Sequence, residues 1–356
     1  MQEKNYVGID LGKRMMEICS IYPDNSIKRG SLKTDISGRQ KLYDFLTEND
    51  VVGMEACSYA FFLAKEIMKK TSATVIVMNA GDLAVIYRSL KKTDKEDALK
   101  IARIMQRHPR EELPEVRIPD ENEERMRGLS REQNYWSTTK NRAINRLHSI
   151  FVYDGITTLM KKDLKSKKRR ELWITKLSDR LCAEAKRLNQ EILLAEGTLY
   201  ELDNEIRLVL KDNKEKAKIV LSVPGIGPKT ALAILGYMGE PSRFSHVKQV
   251  TNYVGLVPKV DISGSSVHYG RTIKRGCRMI KRNIVQAAWV LTKSKYGMDL
   301  RTKYMQLSKI KGKKKSIVAV ARKMIELVYT LLKKNELYRY MPEERIELKL
   351  SMYGLD

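Results

Sequence analysis

Four carboxylates offer the first chemistry in this sequence. They are Asp10 in VGIDLG, Glu55 in VVGMEACS, and Asp94 and Asp97 in KKTDKEDALKIA. Residues three apart share one face of a helix, so Asp94 and Asp97 aim the same way. They do so from a basic stretch, with Lys91, Lys92, Lys95 and Lys100 around them. One reading is purely local: acids in a first turn complement the helix dipole, and Thr93 is a plausible N-cap. The other reading joins all four acids. Asp10 and Glu55 each close a strand-like run, and α/β sheets build their sites at the carboxyl ends of strands. Four carboxylates around one point repel each other unless a hard divalent cation lies between them. Two Mg²⁺ ions about 3.5–4 Å apart would suit phosphodiester chemistry.

Elements must bring those acids together. NYVGIDLG, MEICSIYP and SIKRGSLK read as three short strands separated by turn residues. A helix over 37–49 follows, then the apolar run VVGMEACS, which suits a buried parallel strand. A helix over 58–70, the strand ATVIVMNA, and helices near 82–90 and 94–107 complete an α/β domain over 1–110. If its first and fourth strands are neighbours, Asp10 and Glu55 meet at one edge. Residues 111–215 read as a linker with two long helices, near 121–151 and 171–212. Ile174, Leu181, Leu188, Ala195, Leu202 and Val209 fall seven apart, with Ala185, Ile192, Leu199 and Ile206 as a companion row. Leu129, Trp136, Ala143 and Ile150 repeat at the same period, so the spacing predicts a coiled-coil seam within one chain or between two. The charge run KKDLKSKKRRE (161–171) is expected to break the two helices, as solvated surface or equally as a contact to nucleic-acid backbone. A basic, mainly helical unit spans 216–335, and 336–356 form a tail.

Charge points to the partner. The net charge is +25, and residues 259–323 alone hold 18 basic against 2 acidic side chains. A field of this size serves a polyanion. No run approaches the roughly 20 apolar residues of a spanning helix. No signal peptide opens the chain. Cys19, Cys57, Cys182 and Cys277 show no paired spacing, which suggests reduced thiols and no disulfide frame or zinc site.

Two further stretches bear on that partner. In LSVPGIGPKTALAILGYMG (221–239), Gly225 and Gly227 allow a tight turn whose amides, with Lys229, can cradle a phosphate. The pattern resembles the helix-hairpin-helix, a DNA-backbone binder; it also fits a plain corner between helices. In NYVGLVPKVDISGSSVHYGRTIKRGCRMIKRNIVQAAWVL (252–291), a Ser-Gly loop precedes Arg271, Lys274, Arg275, Arg278, Lys281 and Arg282. Lys313, Lys314 and Lys315 extend this basic set. A serine hydroxyl among arginines and beside a metal site could attack a phosphodiester. VGIDLG also fits the phosphate loop of sugar kinases and actin-like ATPases, yet no GxxxxGK[ST] or second loop of that kind accompanies it.

Taken in order, VGIDLGK, GMEACSYAF, KKTDKEDALKIA, SVPGIGPKTALAILGYMG, NYVGLVPK, the Ser-Gly loop, GRTIKRGCRMIKRNIVQAAW and KGKKKSIVAVARKM resemble the DEDD-type transposases of insertion sequences. The resemblance covers most of the chain. It implies a RuvC-like, ribonuclease-H-type first domain whose four acids are Asp10, Glu55, Asp94 and Asp97. These would hold Mg²⁺, with Mn²⁺ as a substitute. It implies a nucleophilic serine in the second domain, placed at Ser263, that forms a covalent phosphoserine with DNA. The family commonly has Ser-Ser-Gly-Gly in this loop where this chain has Ile262-Ser263-Gly264-Ser265, so Ser265 and Ser266 stay open beside Ser263. The resemblance further implies a guide (bridge) RNA that pairs with donor and target DNA. A homodimer or homotetramer would share active sites between chains, in the prokaryotic cytoplasm at the nucleoid and away from membranes. Two rivals stand beside this reading. One is a RuvC-like nuclease that hydrolyses branched DNA with water; the other is a basic nucleic-acid-binding protein whose acids are structural.

Overall fold

The computed structural model describes residues 4–86, 94–263 and 266–356; the side chains of residues 84–86, 261, 262, 267 and 269 fall outside that description. The chain divides into two compact units, Met1–Asp120 and Glu121–Asp356.

The first unit opens with a meander, β1 (Asn5–Leu11), β2 (Met15–Ile21) and β3 (Ile27–Lys33). Then come α1 (Ile36–Phe45), β4 (Asp50–Glu55), α2 (Ser58–Lys70), β5 (Thr74–Met78), α3 (Ala80–Ile86) and α4 (Asp94–Arg107). The sheet order is β3-β2-β1-β4-β5. The meander is antiparallel, while β1-β4-β5 run parallel. Alternation sorts the faces. Val7, Ile9, Val52, Met54, Val75 and Val77 pack with Leu42 of α1 and Leu63, Ala64 and Ile67 of α2. On the opposite face Val51, Ile76 and Met78 meet Ile101, Ile104 and Met105 of α4, and Cys19 and Ile21 meet Ala98, Leu99 and Ala102.

Two glycines let α4 sit down on that second face. A Cβ on Gly8 of β1 would stand 2.1 Å from the Ala98 carbonyl oxygen and 2.6 Å from the Ala102 nitrogen. One on Gly53 of β4 would stand 2.3 Å from Met105 Sδ. The helix therefore lies almost on the backbone of β1 and β4, with its first turn toward their carboxyl ends.

The second unit is helical apart from one hairpin. It begins with α5 (Glu121–Tyr153), α6 (Lys167–Ile174) and α7 (Asp179–Asp212). The single helix expected over 171–212 is in fact two. Asp154 accepts from the backbone N and the hydroxyl of Ser178 (2.7 and 2.8 Å), which fixes a turn from which α7 starts anew. The charge run 161–171, expected as a break that is solvated or touches nucleic-acid backbone, contributes its last residues to α6, and there Arg170 points inward. Its fully buried guanidinium donates to Asn189 Oδ1 (2.8 Å), the Leu164 carbonyl (3.0 Å) and both carboxylate oxygens of Glu196.

Most of the heptad positions are buried within one chain, with Trp136, Leu181 and Leu188 partly exposed. Ala143, Leu147 and Ile150 of α5 lie with Ala185 and Ile192 of α7, while Met126 and Leu129 lie with Leu202, Ile206 and Val209. The two helices thus form an antiparallel hairpin. Its second end joins the main core of the unit, built from α8 (Lys214–Ser222), α9 (Pro228–Met238), α10 (Val247–Val254), α11 (Arg278–Leu291), α12 (Met298–Lys311), α13 (Lys313–Lys334) and α14 (Glu343–Met352). Between α10 and α11 stands the two-stranded sheet of β6 (Pro258–Ser263) and β7 (Ser266–Thr272). No helix among the described residues is long and apolar enough to cross a membrane.

Candidate active site

Asp10 and Glu55 come together as neighbours. Ile9 pairs with Met54 in the parallel β1–β4 ladder, so the next residue of each strand is an acid. Both project to the face that carries α4, in phase with Gly8 and Gly53. The α4 helix brings Asp94 and Asp97 in its first turn to the same end. Thr93, Lys91 and Lys92 lie outside the described residues, so the N-cap expectation cannot be placed on the fold.

The acids feel one another. Burial pushes the Asp10 carboxyl from an ordinary 3.8 up to about 6, and the charges of Asp94, Asp97 and Glu55 add to that push. Asp97 is also paired with Lys100 one turn along α4. Among the described residues, no three His, Cys, Asp or Glu side chains already stand close enough to grip an ion. The donor set still suits one. All four groups are hard oxygen ligands, and their mutual repulsion is what a divalent cation relieves. Glu17 was not singled out from the sequence. It stands opposite Asp10 across β1–β2 and takes a hydrogen bond from Ser31 Oγ (2.8 Å).

In the second unit, Ser263 ends β6 and is exposed. It pairs with Ser266 at the head of β7, whose hydroxyl donates to the Ser263 carbonyl (2.8 Å). Gly264 and Ser265 lie outside the described residues.

The expected nucleic-acid residues divide into two groups. Arg271, Lys274, Arg275, Arg278, Lys313, Lys314 and Lys315 are exposed. Arg282 donates to Asn134 Oδ1. Lys229 is engaged with Asp203 at 3.0 Å. Lys281, expected among the phosphate contacts, is half-buried, and its ammonium donates within the fold. It donates to the carbonyls of Gly255 (2.7 Å) and Ile273 (3.1 Å) and to Thr272 Oγ1 (3.2 Å), and burial holds its pKa below the usual lysine value. It braces the foot of the β6–β7 hairpin. Lys281→Met should cost about 1–3 kcal/mol of stability by orphaning those acceptors. It should leave the salt dependence of DNA binding untouched. A slope reduced by about one in a binding titration would return Lys281 to the phosphate contacts.

Gly225 likewise has a structural task. Its φ is +85°, and a Cβ there would stand 2.2 Å from the Ala287 carbonyl oxygen of α11. Gly227 is the N-cap of α9, half-buried, and a Cβ there would stand 3.6 Å from the Tyr353 hydroxyl. The tail, uninformative as sequence, grips this corner. Lys349 of α14 donates to the Leu221 carbonyl (2.6 Å), and burial lowers its pKa to about 8.

An acid-edged α/β unit is thus followed by a basic helical unit that carries a hairpin with Ser263 at the end of its first strand. Comparison with known families makes this specific. Residues 7–153 match the model described as Transposase, of the DEDD type of IS110, and residues 217–304 match the Transposase IS116/IS110/IS902 family. The chain belongs to this IS110-type DEDD transposase family, and its mixed α/β sheet and helical C-terminal region are consistent with a RuvC-like member. The family implies a divalent metal ion.

Among its relatives is the transposase for insertion sequence element IS1111A of Coxiella burnetii, 29% identical over 43% of this chain and 42% of that protein. The pilin gene-inverting protein of Moraxella lacunata is 27% identical over 39% and 44%. The transposase for insertion sequence element IS1328 of Yersinia enterocolitica is 25% identical over 82% and 84%. The chain thus spans less than half the length of the first two relatives and most of the third.

Proposed function

We propose that this protein is a metal-dependent, RNA-guided DNA recombinase that moves an insertion sequence through a serine–DNA intermediate. One observation supports the metal site above others: adjacent strand ends and a close-seated helix press three further acids on the Asp10 carboxyl. Asp10, Glu55, Asp94 and Asp97 would hold Mg²⁺ or Mn²⁺, with Asp97 drawn away from Lys100. When bound, the cation would stabilise charge on the phosphate oxygens.

Ser263 Oγ attacks a backbone phosphorus of DNA. An Oγ–phosphorus bond forms as the bond from phosphorus to a deoxyribose oxygen breaks. The serine proton leaves, and the departing oxygen ends as a hydroxyl. Attack on the phosphoserine by a deoxyribose hydroxyl of another strand joins the new partners and restores Ser263. Phosphodiester energy is kept throughout, so no nucleotide triphosphate is needed. Acids and serine come from different chains of a dimer or tetramer. A guide RNA pairs with donor and target DNA, and the basic residues of the second unit hold backbones. The name of the Moraxella relative, an inverter of a pilin gene, fits exchange between two DNA segments.

The test is a covalent adduct. Wild type and Ser263→Ala are expressed with the element's flanking DNA, denatured, nuclease-digested and mapped by peptide mass. The expected result is nucleotide mass on the peptide holding Ser263, absent in the variant and absent in a parallel sample of protein purified free of RNA and then given the DNA. Mass on Ser265 or Ser266 would relocate the nucleophile. Cut DNA without an adduct would establish the hydrolytic nuclease. An adduct that survives RNA removal would end the guided reading.

A further inference from the structure

Three arginines outside the exposed basic set converge on one place. Arg127 and Arg131 lie one turn apart on α5, and Arg243 ends the short turn after α9. The α5 helix crosses α9 at Gly236, where a Cβ would stand 2.6 Å from Met126 Cβ, and Arg127 Nε donates to the Gly236 carbonyl at 2.7 Å. The Arg127 guanidinium then lies over the Tyr237 ring, 5.3 Å from its centre. Arg243 lies over Tyr253 at 4.7 Å and over Phe244 at 4.4 Å. Tyr253 donates to the Tyr237 carbonyl (2.7 Å), which locks the two rings into one platform.

These charges share a neighbourhood. Burial raises the Tyr253 phenol, and Arg243 and Arg127 pull it back. Burial raises the Cys277 thiol; the amides of Ile280 and Met279 and then Arg127 and Arg243 oppose it. Arg131 and Arg127 act in the same way on Tyr237. Among the described residues, no carboxylate pairs with Arg127, Arg131 or Arg243. Three guanidiniums gathered without acids repel one another, and rings hold two of them in fixed poses. An anion suits such a group, and the guanidinium fork matches a phosphate.

The place also matters. Cys277 N donates to the Tyr253 carbonyl (2.8 Å), and Gly255 and Gly276 touch backbone to backbone. The β6–β7 hairpin leaves and returns at this joint, where Ile273 N donates to the Val257 carbonyl (3.0 Å).

We propose that Arg127, Arg131 and Arg243 form a phosphodiester-binding site for DNA at the foot of the serine hairpin, holding the strand on which Ser263 acts. This rests on the recombinase reading for its DNA partner, since the strand held beside Ser263 is the one it would attack. Arg127, Arg131 and Arg243 are positioning residues, and they touch a phosphate that does not react.

The test uses the full chain carrying Ser263→Ala, with guide RNA present, titrated with a fluorescent DNA duplex of the element's end across a salt series. Arg127→Gln, Arg131→Gln and Arg243→Gln should each weaken binding roughly 10-fold and flatten the salt slope by about 0.9. Arg131→Lys should recover the slope. Arg131 is exposed, so Arg131→Gln decides the matter even if the half-buried pair lowers the melting temperature. A triple variant with wild-type slope would overturn the site, as would loss of affinity for the guide RNA with DNA affinity kept. The outcomes separate from those of the adduct test. An adduct with unchanged slopes fails this site alone; flattened slopes without an adduct fail the recombinase reading alone.

Discussion

Asp10→Asn should abolish strand exchange and, at the same time, make the metal-free protein more stable. Loss of one member of an interdependent catalytic set costs roughly 10³-fold or more in rate. The stability gain follows from the raised carboxyl. A carboxylic acid whose folded pKa is raised to about 6 from 3.8 costs stability. That cost is absent below the unfolded value, grows between the two, and is fully present above about 6. Two pKa steps set a ceiling near 3 kcal/mol. Asp10 is partly open to solvent, which screens the repulsion and leaves about 1 kcal/mol. In a chelator at pH 7.5 the variant should therefore melt above wild type, and the difference should close as pH falls toward 4. With Mg²⁺ added the order should reverse, because wild type gains from the ion and the variant does not. A variant that melts below wild type in chelator would show Asp10 to be a structural acid and would remove the metal site.

Gly8→Val should produce the opposite pairing, loss of activity with loss of stability. The added Cβ falls 2.1 Å from the Ala98 carbonyl oxygen, which belongs to helix backbone and cannot swing away. The α4 helix has to lift by an ångström or more. Overpacking of this kind costs about 1–3 kcal/mol. A misplacement near 1 Å can also cost roughly 10²-fold in rate. Strand exchange and the Mg²⁺-induced rise in melting temperature should fall together, since the helix carries Asp94 and Asp97. Full activity in Gly8→Val would mean that the seat of α4 does not set the geometry of the acids.

Much of the first unit was legible because each strand carries a local signal. The runs NYVGIDLG and VVGMEACS are apolar on both faces, which fits central strands, and their acids mark where each strand ends. The neighbour relation of β1 and β4 was a condition in the sequence and is a register in the fold. The seat of α4 was not legible. Gly8 and Gly53 look like ordinary strand glycines until the helix that needs them is laid on top. In the second unit, charge misled where tertiary partners decide. Arg170 sits in a run of lysines, yet Asn189 and Glu196, far along the chain, draw it inside. Lys281 stands among arginines that face solvent, while carbonyls from two other segments claim it. Arg127 and Arg243 gave no signal, because their neighbours Tyr237 and Tyr253 come close only in the fold.

The sheet order also sets a timetable. Asp10 leaves the ribosome with the first strand, but β4 must be made before Glu55 can stand beside it, and α4 must follow before Asp94 and Asp97 arrive. A chain cut short anywhere before α4 therefore holds a single isolated acid or a pair. Such a fragment lacks at least Asp94 and Asp97, which α4 carries. The four acids are therefore complete only in a chain translated through α4.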